Sequence, residues 1–129
     1  MTAKERTLLT VFADGNKLAS QVVACVSAGD RREGLLNRKS LIQEEGVLLV
    51  MPEQRSERPG LATSIHMMRM KFPVAAAWLS ADGEVVHAVL ARPWRFYYGS
   101  PNPASYVLEV HPDHLSKLKV GTKVTWQEV

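Results

Sequence analysis

The chain has one cysteine in 129 residues, so no internal disulfide can brace it and its stability must come from an apolar core. That residue, Cys25, lies in the apolar run from Val22 to Val26. Such surroundings favour a buried, inert thiol, because a reactive thiolate needs an accessible, electropositive setting. Long hydrophobic runs are missing too. The opening MTAKERTLLTVFADG has only a brief apolar stretch, too short for a secretory signal or a membrane span, and a cytoplasmic location without membrane contact is expected. Charge of one sign is scarce: 16 basic against 13 acidic residues leave +3, which attracts anions weakly and is a poor footprint for nucleic acid.

Repeats, low-complexity tracts and composition shifts are absent as well, so residues 1–129 are expected to form a single domain. There is no phosphate-cradling glycine loop, EF-hand loop or zinc-ligand spacing, and no G-x-S-x-G elbow to strain a nucleophile, so neither a metal nor a cofactor is expected. His111 and His114 in HPDH have a spacing that can put two imidazoles on one helical face, but a third ligand is missing. Helix capping beside Pro112 accounts for the first of them. Glu44 and Glu45, adjacent in a polar stretch, read as a solvated turn rather than as converging acids. Met67, Met68 and Met70 have the softness to hold Cu(I), but Met68, Met70 and Phe72 would share one strand face, which reads as core filling.

What is present is a series of short runs rich in β-branched and aromatic residues: 7–12, 18–26, 47–51, 74–79, 84–90, 106–110 and 123–127. Their spacing predicts a mainly β domain, a sandwich or barrel of about seven strands with one or two short helices. Asp14-Gly15 and Asp82-Gly83 each separate two such runs and supply the positive φ that a tight hairpin turn needs. Ser27, with Asp30 three residues on, predicts the capped start of a helix reaching Arg38, with Gly34 as a weak point. A second helix is predicted from Pro112 and Asp113 towards Gly121. Proline and glycine mark the stretches 52–63 and 98–104 as surface loops.

Four motifs stand apart: Arg31, Gly34, Leu35 and Arg38, followed by Glu45-Gly46; HMMRMKFPVAAAWLSADGEVV, with His66, Met70, Phe72, Pro73, Leu79, Asp82 and Gly83; Arg92-Pro93-Trp94-Arg95; and Ala104 with Val107-Leu108-Glu109, leading to Gly121 and Val124. Together they cover about residues 22–129, with an N-terminal hairpin strand over 1–21, and in them the chain resembles the bacterial and archaeal domain-of-unknown-function family 192. The resemblance implies a compact, sandwich-like β domain with a small helix and carries no substrate, cofactor or reaction. Ala75, Ser80 and Thr122 stand where acids are common in that family, and the resemblance implies that any role of those acids is altered here.

The concentrated chemistry is basic and aromatic. His66, Arg69 and Lys71, together with Arg92, Trp94, Arg95, Phe96, Tyr97 and Tyr98, combine planar guanidinium forks with flat rings, and Arg31 and Arg38 add to them. A first reading is a non-catalytic binding domain that receives a small anionic or sugar-like ligand on His66, Arg69, Lys71, Arg92, Trp94, Arg95, Tyr97 and Glu109. The competing structural reading packs Trp94 and Tyr97 over a sheet edge and pairs the arginines with Glu33, Glu53 and Glu109. A hydrolase or transferase would draw on His66 and Glu109 as a proton-transfer pair, with His87, on a predicted strand like His66, as a core histidine. A third reading is a protein-interaction module that uses a sheet edge. Oligomeric state stays open at this level.

Overall fold

The computed structural model describes residues 7–129; the part of the expected N-terminal hairpin before Thr7 lies outside them. Asp14 and Gly15 both take positive φ (48° and 82°) and reverse β1 (Leu8–Ala13) into β2 (Asn16–Cys25). Gly83, at φ 89°, does the same between β4 (Val74–Leu79) and β5 (Val85–Ala91). With β3 (Glu45–Val50), β6 (Tyr106–Val110) and β7 (Val124–Glu128), all seven expected strands form. They join in one sheet of order β5-β4-β6-β3-β2-β1-β7, in which only the β2–β3 pair is parallel.

The sheet curls until its two edge strands touch. Glu84 bridges Lys123, Val85 N–H donates to Thr122 O at 2.9 Å, and Val124 N–H donates to Gly83 O at 2.8 Å. The result is a half-barrel zipped at one end, a solution that removes part of the exposed edge liability. A Cβ on Gly83 would lie 2.3 Å from Val124 O, so the zip needs a residue without a side chain.

Strand β4 is buried along its whole length and separates two cores. Ala75, Ala77 and Leu79 face the barrel interior with Val11, Leu48 and Leu118. Val74, Ala76 and Trp78 face outward, under a second layer of Leu35, Met51 and Met67. Burial of these side chains, at roughly 25 cal/mol per Å2 of apolar area, is the main stabilising term. Trp78 is fully buried and its Nε1 donates to Thr63 O at 2.8 Å. Ala75 belongs to the inner core, so an acid there would sit among apolar side chains.

The outer layer consists of short elements. Ser27 caps α1 (Ala28–Glu33) by accepting from Asp30 N–H, as the sequence predicts, but the helix does not reach Arg38. Gly34 adopts φ 44° and turns the chain out of the helix, so the following residues run as turns. A single turn, α2 (Glu53–Ser56), and a 3-10 turn (Gly60–Thr63) follow β3. The predicted second helix is a 3-10 segment, Pro112–Lys117, capped by His111, whose side chain accepts from Asp113 N–H. Among the described residues no helix is long and apolar enough to cross a membrane.

Candidate functional site

The outer layer does not seal the sheet completely. Between α1, α2 and the irregular segment 64–70 it leaves a cleft of about 300 Å3. Its floor is apolar, with Leu35, Leu49, Met51, Ile65, Met67 and Met70, and its polar groups are Arg31, Arg32, Glu33, Arg55, Ser64, His66 and Glu109.

Glu109 is the unusual member. It sits in the middle of the sheet on β6, with Val47 of β3 and Ala76 of β4 as its cross-strand neighbours. Only 8% of the residue is exposed. Among the described residues no hydrogen bond or ion pair engages its carboxyl, and burial pushes its pKa up from 4.5 to about 7. Two glycines neighbour this residue, one tightly against its backbone and one in ordinary contact with its side chain. A Cβ on Gly46 would lie 2.6 Å from Glu109 O, and one on Gly34 would lie 3.9 Å from Glu109 Oε1. The Gly34 and Glu45-Gly46 motifs thus meet at one residue, Gly46 at its backbone carbonyl and Gly34 at its carboxyl, although the sequence separates them from it by more than 60 positions.

Arg31 reaches the cleft from α1, and its Nη1 donates to Val26 O and, at 3.2 Å, to Val50 O. These two carbonyls tie the helix to the ends of β2 and β3. Burial and the neighbouring Arg55 guanidinium both lower the Arg31 pKa. Arg55, projecting from α2, is exposed. Neither arginine enters an ion pair among the described residues, so two like charges meet at the cleft, with Glu33 also on its lining.

The sequence-predicted set is therefore divided. His66 and Glu109 line the cleft together. Arg69, Lys71, Arg92, Trp94 and Arg95 are exposed outside it, and Tyr97 lines a separate depression with Pro59, Gly60 and Gly99. His66 is not on a strand: it occupies the irregular segment, exposed, its Nδ1 accepting from Met68 N–H at 3.3 Å. His87 is on β5 and half-buried, its ring tilted 5.4 Å from that of Trp78. The expected strand face of Met68, Met70 and Phe72 does not form; Met67 and Met70 are the buried pair, because they point under the outer layer. Arg38 pairs with Glu45, not with Glu33, Glu53 or Glu109, and no described arginine pairs with Glu109, which lies too deep. Trp94 does not pack over the sheet edge: 60% of it is exposed.

His111 and His114 have structural roles. The first caps the 3-10 segment, and the second is buried with its Nε2 2.7 Å from Gln43 O. Among the described residues no three His, Cys, Asp or Glu side chains converge as a metal site requires. Cys25 is buried. Arg55, like Arg32 and Ser64, is a polar member of the cleft that sequence reasoning missed. It lies in the polar stretch read as a surface loop, and nothing local places that loop beside Arg31.

Comparison with known proteins agrees with this architecture. Residues 9–126 match the family DUF192, described as an uncharacterized ACR. A crystal structure of a protein of unknown function from Novosphingobium aromaticivorans is similar with a TM-score of 0.76 at 19% identity, over 94% of this chain and 85% of that one. A second, provisionally labelled a transcription regulator, from Sinorhizobium meliloti, is similar with a TM-score of 0.78 at 19% identity, over 98% of this chain and 97% of that one. At that identity the likeness shows the fold. No curated protein matches the chain.

Proposed function

The chain belongs to the DUF192 family, and from that premise we propose that it is a binding domain whose outer cleft receives a small anionic organic ligand. One observation carries the reading: Arg31 and Arg55 face one cleft, and neither guanidinium enters an ion pair among the described residues, although Glu33 also lines it. Guanidinium forks hold carboxylate or phosphate oxygens through paired, charge-assisted hydrogen bonds. The floor of Met51, Met67 and Met70 suits a small apolar body, since thioether side chains adapt to irregular shapes. Glu109 in its neutral form offers an O–H donor at depth. The volume is at the low end for ligand pockets and matches a compact molecule.

Calorimetric titration with inorganic phosphate and a panel of small carboxylates tests the reading. Saturable binding is expected, weakened roughly 10-fold or more by Arg55→Ala, the scale of one charge-assisted hydrogen bond. Arg55 makes no side-chain hydrogen bond or ion pair among the described residues, so this variant should fold normally. Absence of anion binding, or binding that ignores Arg55→Ala, refutes it. That His66 and Glu109 line the same cleft favours a second reading, a proton-transfer pair, which predicts turnover abolished by Glu109→Gln.

A further inference from the structure

The basic and aromatic residues that lie outside the cleft are carried on two exposed loops. The two are apposed by backbone hydrogen bonds: Trp94 N–H to Met67 O at 2.6 Å, Met67 N–H to Arg95 O at 2.7 Å, and Gly60 N–H to Ser100 O at 2.8 Å. Ile65 and Tyr98 add an isolated bridge. Neither loop carries an acid: there is no Asp or Glu from Arg58 to Ala81 or from Val85 to Leu108. Arg69, Arg92 and Arg95 are exposed and enter no ion pair among the described residues. The same two loops also carry exposed large apolar side chains, Leu61 and Phe96 each 80% exposed and Trp94 60%.

The backbone works to present them. Trp94 and Arg69 are two of the three non-glycine residues with positive φ among the described residues, at 68° and 65°. Such a conformation disfavours a bulky side chain by about 1 kcal/mol or more. Apolar side chains this exposed, and flanked by cations, are characteristic of surfaces with a partner.

We propose that this face docks peripherally on a bilayer carrying anionic headgroups, with Trp94, Phe96 and Leu61 entering the interface while Arg69, Arg92 and Arg95 meet the phosphates. The charge complementarity fits an extended anionic surface, and aromatic rings with flanking cations are the residues that settle at the headgroup level. A single-stranded nucleic acid fits less well, because Leu61 offers no stacking face where such partners need a row of rings along a basic groove. The proposal stands independently of the cleft.

Sedimentation with vesicles of phosphatidylcholine alone and of equimolar phosphatidylcholine and phosphatidylglycerol tests it. Binding is expected to the anionic vesicles only, reduced by salt, with a blue shift in emission that Trp94→Gly abolishes. The double variant Arg92→Ala/Arg95→Ala should partition roughly 30-fold less, at about fivefold per lost cation. Trp94→Gly relieves the left-handed backbone and is expected to keep or raise the melting temperature while losing vesicle binding, which a merely structural tryptophan would not do. No binding to anionic vesicles, binding unchanged in the arginine variant, or capture of a single-stranded oligonucleotide in place of vesicles overturns the proposal.

Discussion

Replacing Glu109 by glutamine should make the protein more stable at neutral and alkaline pH, and the gain should vanish in acid. The carboxyl is buried without a described partner, and its folded pKa of about 7 stands above the ordinary 4.5. Below pH 4.5 it is protonated in both the folded and unfolded chain and has no effect on the balance. Between 4.5 and about 7 the unfolded chain releases the proton while the folded chain retains it, so stability falls by about 1.4 kcal/mol per pH unit. Above the folded pKa both states are ionised and the loss levels off near 3 kcal/mol, an upper figure because the cleft admits some water. Glutamine has the same shape and cannot ionise. The assay is urea unfolding of both proteins across this range, read as the difference between the two curves. That difference cancels other groups, including Glu44, whose pKa is lowered by hydrogen bonds from Ser20 and Lys17 and whose contribution is lost as pH falls. Parallel curves would refute the argument, since a carboxyl in water or with a cation beside it would give no rising gap.

Two further substitutions probe the fold. Trp78→Phe removes the donor to Thr63 O inside the outer core and leaves a small void, so a loss of about 2 kcal/mol is expected in denaturant titration. Gly83→Ala puts a Cβ 2.3 Å from Val124 O at a φ of 89°, and a loss of about 2 kcal/mol or more is expected in thermal unfolding. Hydrogen exchange should then show faster opening at the Val85 and Val124 amides than elsewhere, and uniform acceleration would mean that the edge strands are not held there as described.

The strands were legible because their signals are local. The apolar runs at 74–79 and 106–110 coincide with β4 and β6 to the residue, and the two Asp-Gly turns form the hairpins they predict. Capping chemistry is local too, which is why Ser27 and His111 were readable as helix starts. The end of α1 was less so, since Gly34 leaves the helix through a positive φ rather than merely weakening it. The segment 64–70 misled for a related reason. Its alternation of methionines resembles a strand, but it has no strand partner apart from the Ile65 bridge to Tyr98, and its side chains are sorted by the layer above the sheet.

By itself the sequence determined the class, the family and the positions of the strands, because propensity, turn chemistry and hydrophobic patterning act over a few residues. Tertiary structure decided the rest. Strand pairing over long separations buried Glu109 beneath Gly34, brought Arg55 against Arg31, and set His66 at the rim of the same cleft. The chain's modest net charge of +3 likewise hid two apposed acid-free loops, since total charge averages over a surface that folding divides into unequal parts.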